Sequence, residues 1–280
     1  MNRRRTTSAA FRGAAIALAG IAAAPLLGNA VLVAPHAIFI DHRTRTAQVT
    51  LANPGAEPEE VDLAFAFGFP ATDSAGQPYV RLFDEPADSF PSAAGWIRAF
   101  PRRVRLEPGQ RQVVRLLATP PADLADGEYW TRLIVTSKRG QEVAVTDTTM
   151  RAGLTLELRT IVSLTYRKGD VRTGVAIDAF DARVVGDSLV ARLAVHREGN
   201  GAYLGVARFA VMGREAAMHE WAVPIAVYYD MDRRFAFPLT DVPPGSYELR
   251  FDLTTEREDI PLEHVLPAPP ITRRQQIEVG

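Results

Sequence analysis

Apolar and polar residues alternate along most of the chain with a period of two. The clearest stretch is RAGLTLELRTIVSLTYRKG, residues 151–169, where Leu154, Leu156 and Leu158 alternate with Thr155, Glu157 and Arg159. That period marks a strand with one apolar face, because successive side chains point to opposite sides. After residue 30 almost no 3.6-residue periodicity competes with it. The pattern predicts strands over residues 31–40, 47–53, 61–69, 97–106, 112–118, 129–137 and 153–166. Glu107-Pro108-Gly109 and Asp126-Gly127 supply turns. The Pro/Ser/Asp-rich segment 70–95 reads as a long loop. Beyond the polar break Lys168-Gly169-Asp170, further strands are predicted over 189–196, 203–212, 222–229, 233–239, 246–253 and 274–279. DVPPGSYELRFDL echoes LADGEYWTRLIV: acidic residue, turn, Gly, Tyr, strand. This is a weak internal repeat. Seven strands in the first stretch is the number in an immunoglobulin-like sandwich, though no Cys–Trp–Cys core is present. The expectation is an all-β chain of two immunoglobulin-like β-sandwich domains set at an angle, 31–168 and 169–280.

The first thirty residues differ in kind. Arg3, Arg4, Arg5 and Arg12 precede an Ala-rich apolar run over 13–27, and small residues stand at Gly28 and Ala30. The run is short for a membrane span, and the order of charges, apolar run and small residues is that of a secretory leader cleaved after Ala30. A retained anchor is the alternative. Without the leader's four arginines, 28 of the 32 basic residues face 33 acidic ones, a net charge of about −5. No basic excess points to nucleic acid, and no later segment approaches a spanning length. There is no cysteine, which excludes thiol catalysis and thiolate metal sites. Export to a periplasm is the simplest destination.

Other chemistry is thin. His36, His42, His196, His219 and His264 show no metal-ligand spacing, and no nucleotide or nucleophile-elbow motif occurs. No catalytic residue, metal or cofactor is expected. Asp230 and Asp232 sit in a predicted turn beside Arg233 and Arg234, which would oppose a cation. Glu57 to Glu60 (EPEE) read as a solvated acidic face. Arg98, Arg102, Arg103 and Arg105 are placed on the wet side of an amphipathic strand.

Three stretches carry a resemblance: IFIDHRTRTAQVTLANPG, RLEPGQRQVVRLLATPPADLADGEYWTRL, and the alternating leucines followed by SLTYRKG. In order and spacing, residues 31–168 resemble the periplasmic chaperones of pilus assembly, the PapD-like two-domain proteins. The resemblance implies a non-enzymatic chaperone acting by donor-strand complementation. Residues 153–166 would complete a secreted pilin-like subunit that lacks its last strand. Leu154, Leu156 and Leu158 would fill the subunit's groove, with Arg159, Thr160 and Val162 on the same strand. Each leucine buried contributes about 1.5–3 kcal/mol, enough for micromolar binding after association costs. An outer-membrane usher and a self-capping dimer are further partners that the resemblance implies.

The family places a cation on the first and on the last strand of the cleft between domains, to bind the subunit's terminal carboxylate. Here those positions fall on Ala37, with His36 beside it, and on Ser163, so an uncharged cleft is expected. The client would then be anchored elsewhere, by Arg159 or Arg167, or would differ from a standard pilin. The family's acid–base–acid set between domains maps to Glu128, Arg167 and Asp241. Two other classes stay open on the residues alone. Alternating leucines can simply face the chain's own core, as in an exported structural or adhesive sandwich. A carbohydrate-binding or hydrolytic β-protein is the other.

Overall fold

The computed structural model describes residues 31–143, 152–213 and 216–280, the side chains of 139–143 and 152–155 excepted. The leader expected over 1–30 lies outside the described residues. Ten strands build the first sandwich: β1 (Leu32–Ala34), β2 (Ala37–Asp41), β3 (Thr46–Ala52), β4 (Glu59–Thr72), β5 (Pro78–Phe83), β6 (Ile97–Phe100), β7 (Arg103–Leu106), β8 (Arg111–Ala118), β9 (Gly127–Val143) and β10 (Ala152–Lys168). One sheet runs β1-β3-β8-β6. The other runs β2-β10-β9-β4-β5, with β7 also on β4. Alternate residues of both sheets meet inside, among them Val49, Leu51, Val114 and Leu116 against Leu63, Leu133, Val135, Val162 and Leu164.

Three expectations need correction here. Residues 31–40 and 97–106 each form two strands, not one. Pro35 and Pro101 have no N–H to give a ladder, and at each the chain passes from one sheet to the other. Segment 70–95 is not all loop: β4 continues to Thr72 and β5 pairs back along it from Thr72↔Pro78 to Phe67↔Phe83. The turn is made by Asp73, whose carboxylate accepts the N–H groups of Ala75 and Gln77 at 2.9 Å each, and by Gly76 at φ 76°. Within EPEE, Glu59 is buried, because it opens β4 with the same parity as Val61 and Leu63. The four arginines 98, 102, 103 and 105 are all exposed.

The second sandwich comprises β11 (Thr173–Val185), β12 (Ser188–Gly199), β13 (Tyr203–Met212), β14 (Ala217–Val227), β15 (Asp230–Pro238), β16 (Gly245–Thr254) and β17 (Ile271–Val279). Its sheets run β11-β12-β15 and β14-β13-β16-β17, around a core that includes Leu193, Phe209, Phe235 and Phe251. Strand β11 is not predicted from sequence. A register shift between Ile177 and Ala179 breaks its alternation. Asp230 and Asp232 lie on β15 rather than in a turn, and Asp232 accepts Arg192 Nε from β12 at 2.8 Å.

The internal echo has a physical counterpart. Tyr129 Oη donates to Ala125 O at 3.0 Å, and Tyr247 Oη donates to Pro243 O at 2.9 Å. Each tyrosine reaches back four residues over a glycine at positive φ, Gly127 at 147° and Gly245 at 156°. These are the tyrosine corners of immunoglobulin-type sandwiches.

Between the sandwiches lies an aromatic cluster built on Phe67, Phe69, Trp130 and Tyr228, with Phe83, Phe90 and Tyr229 against it. The β4–β5 hairpin reaches across to β15: Arg234 N–H donates to Gly76 O, and Asp232 N–H to Thr72 Oγ1, both at 3.1 Å. Among the described residues no helix is long and apolar enough to cross a membrane.

Candidate functional site

Strand β10 is longer than its neighbour on one side. Antiparallel β9 pairs with it over its whole length, from Ala152↔Val143 to Lys168↔Gly127. Parallel β2 covers the other edge only from Ser163↔Ala37 to Arg167↔Asp41. No described strand pairs with that edge over 152–162. The direction of its backbone groups follows from the covered part. Ser163 N–H donates to His36 O at 3.3 Å, and Arg167 O accepts His42 N–H at 2.9 Å, both on the β2 side. Backbone groups alternate along a strand, so Glu157, Arg159 and Ile161 direct theirs to the open edge, while Leu158 and Thr160 bond to β9.

The side chains alternate in the same way. Tyr166, Leu164 and Val162 face the core and are buried. The same face continues through Thr160 to Leu158 and Leu156, but the core ends at Val162 and Val135. Leu158 is 42% and Leu156 50% exposed, and Ile161 on the opposite face is 40% exposed. Leu154 is on β10, with its side chain outside the described residues. Arg159 is exposed and bonded to Glu157, Nη2–Oε1 2.8 Å. Lys138 stands 3.9 Å from the same carboxylate.

Ala37 and Ser163 are register partners, so the two expected cleft positions do meet. They line a cleft of about 650 Å³ between the sandwiches, with Phe39, Leu204, Tyr228 and Ile260 among its walls. Ser163 Oγ is 3.5 Å from Tyr228 Oη. The cleft is not uncharged, which corrects the expectation. Arg132 of β9, the cross-strand partner of Ser163, lines it together with Arg257. Sequence reasoning missed Arg132 because a buried cation inside a strand looks like any outward polar residue until the partner sandwich covers it. Arg257 is neutralised by Asp259, with Nε–Oδ1 2.6 Å. That guanidinium holds the Asp259 carboxyl below the usual carboxylate range.

Buried Glu128 and part-buried Arg167 form an ion pair, Nε–Oε1 2.7 Å. The other Glu128 oxygen accepts Trp130 Nε1 at 2.9 Å and the Ala202 N–H of the second sandwich at 2.8 Å. Asp241 is not part of this set. It is exposed in the turn between β15 and β16, and Arg167 Nη1 instead donates to the carbonyl of His264 at 2.7 Å. The His264 ring stacks on Phe39 with centroids 4.6 Å apart, and the Arg167 guanidinium lies 4.8 Å over the same Phe39 ring. Burial first, and then the Arg167 charge, push the His264 pKa down. Segment 262–264 follows no periodic pattern, so a backbone carbonyl in this role left no trace in the sequence.

Among the described residues, no group of three or more His, Asp or Glu side chains is gathered where it could hold a metal. No family model matches the sequence, and no curated protein matches it. Similar solved structures include the Pseudomonas aeruginosa CupB2 chaperone, 11% identical over 87% of this chain and 99% of that one, with TM-score 0.39. The E. coli chaperone DraB is 10% identical over 90% of this chain and 98% of that one, with TM-score 0.41. The class 5 fimbriae chaperone CfaA is 12% identical over 88% and 99%, with TM-score 0.42.

Proposed function

We propose that this chain is a periplasmic chaperone that holds secreted pilin-like subunits by lending them the open edge of β10. The observation that carries the reading is a strand with β9 on one side and, among the described residues, no strand on the other over 152–162, bearing the exposed Leu156, Leu158 and Ile161. Such an edge is an aggregation hazard unless it is meant to be filled. A guest strand would gain ladder bonds from Glu157, Arg159 and Ile161, and its neighbours would meet Leu154, Leu156 and Leu158 as alternating plugs, with Thr160 and Val162 at the core end. The reading takes 1–30 as a cleaved leader and divides the rest into domains 31–168 and 169–280. The Glu128–Arg167 pair holds the two at a set disposition. Nothing in the mechanism requires a nucleotide or a bond-breaking residue. Two free copies would shield their edges by pairing through β10, and an outer-membrane usher would take the loaded chaperone.

The test is a photo-crosslinkable residue at Leu158, compared with one at Val113, which is slightly more exposed on β8. In cell envelopes, Leu158 is expected to crosslink to a small secreted β-subunit and Val113 is not. Equal adducts from both, or adducts from Val113 alone, contradict strand lending.

A further inference from the structure

We infer that the outer face of the β1-β3-β8-β6 sheet is a docking surface for an anionic lipid membrane. Period two decides which side chains point out of this sheet. On β8 they are Arg111, Val113, Arg115 and Leu117, and on β6 Arg98 and Phe100, all exposed. Register sets Leu117 opposite Arg98 and Arg115 opposite Phe100, so each cross-strand pair joins one guanidinium to one apolar side chain. On the far side of β8, β3 offers only threonine, glutamine and alanine, and β1 adds Leu32. No outward position of these four strands carries an acid. Phe100 is 56% exposed, more than any leucine of β10 whose side chain is described. Arg103 and Arg105, on β7, are held by Asp62 at 2.6 Å and Glu107 at 3.0 Å. Among the described residues, no carboxylate is paired with Arg98, Arg111 or Arg115.

Three positive charges on a face without acids select an anionic partner. The apolar side chains between them select its kind. At a lipid surface a guanidinium rests at the phosphate level while the neighbouring apolar group enters the acyl boundary, so both halves of each pair are satisfied at once. An acidic protein surface would satisfy the arginines but press Phe100, Val113 and Leu117 against carboxylates that lose their water. The patch runs about 20 Å along β8 and about 14 Å across four strands. That is roughly 300 Å², the size at which an exposed patch marks an interaction site. Whole-chain charge does not create the attraction, since 33 acidic residues outweigh 32 basic ones. Strand β10 lies in the opposite layer of the sandwich. Docking through β8 leaves its open edge clear, and the docking surface stands whether or not that edge is lent.

The test is co-sedimentation of the full chain with vesicles of phosphatidylethanolamine and phosphatidylglycerol, against vesicles of phosphatidylcholine. Binding about tenfold or more stronger to the anionic vesicles is expected, and it should fall as salt is raised. Arg111→Gln and Arg115→Gln together should weaken it about twentyfold, and Phe100→Ser about fivefold. Residues 1–30 are the same in every variant, so these losses report the sheet face. The chain has no cysteine, so a single Phe100→Cys carries an environment-sensitive fluorophore at one place only. Its emission should shift to the blue on anionic vesicles and not on neutral ones. The same label at Leu82, exposed on β5 of the other sheet, should not shift. This readout keeps all three arginines and stands even if the glutamine variant fails to fold. Equal binding to both kinds of vesicle, anionic binding unchanged by the glutamine pair, or no shift at position 100 overturns lipid docking. Binding of soluble polyglutamate through Arg111 and Arg115 without vesicle binding also overturns it and makes the occupant an acidic polypeptide. None of these outcomes alters the Leu158 crosslinking result, so failure of the docking face and failure of the lent strand are read separately.

Discussion

At the residue scale, one strand face carries two kinds of apolar residue. Val162 is 1% exposed, while Leu156 and Leu158 are about half-exposed. Replacing Val162 with serine removes packed methyls and buries a hydroxyl, and should cost about 3 kcal/mol in chemical unfolding. Leu156→Ser and Leu158→Ser should each stay within about 0.5 kcal/mol and should still abolish subunit capture. A large stability loss from the leucine changes would mean that they serve this chain's own core. The alternation of these residues was readable in the sequence. What separates the two kinds was not, because the core stops where the opposite sheet stops, and no local pattern records that. Arg132 and Asp241 make the same point. One is drawn into the cleft by a sandwich distant in sequence, and the other is left at the surface because the His264 carbonyl satisfies Arg167.

At the element scale, Glu128 joins β9, β10 and the start of β13 by three bonds. Glu128→Ala removes the counter-charge of the part-buried Arg167 guanidinium and strands the Trp130 indole N–H and the Ala202 N–H. The expected loss is about 3–5 kcal/mol, measured by denaturant titration; a loss below 1 kcal/mol would show the pair to be ornamental. The adjoining His264 gives this contact a pH dependence. Its folded pKa lies below the ordinary value of 6.5, through burial and the Arg167 charge, with Glu263 opposing. Below 6.5 the unfolded chain binds the proton more readily than the folded one. This contribution to stability is thus whole above 6.5 and is lost as pH falls toward the folded pKa. In His264→Phe the slope of melting temperature against pH between about 6.5 and 5 should flatten. An unchanged slope assigns the effect to other groups. Strand positions were largely legible, since turn residues and period two mark them. β5 and β11 were hidden, one by a Pro/Ser/Asp-rich context and the other by a bulge.

At the scale of the whole molecule, two sandwiches are held by the Glu128 contact, the aromatic cluster and the β4–β5 hairpin. The hairpin tip is strict about residue type. Gly76 has φ 76° and an added Cβ would lie 2.8 Å from Arg234 N. Gly76→Ala should cost about 1–3 kcal/mol and loosen the contact with β15, visible as a larger spread of inter-sandwich orientations in residual dipolar couplings. Unchanged couplings would show that the hairpin does not set the disposition. The paired tyrosine corners explain why the sequence announced two related sandwiches. The disposition itself depends on aromatic contacts between distant segments, which period and composition do not encode. The central claim, that β10 lends its free edge, is tested most directly by residue-resolved hydrogen exchange on the free and subunit-bound protein. In the free protein the amides of Glu157, Arg159 and Ile161 should exchange fast and those of Leu158 and Thr160 slowly. Binding should slow the first three by about a hundredfold or more. Equal protection of all five in the free monomer, or no slowing at residues 157, 159 and 161 in the complex, would contradict it.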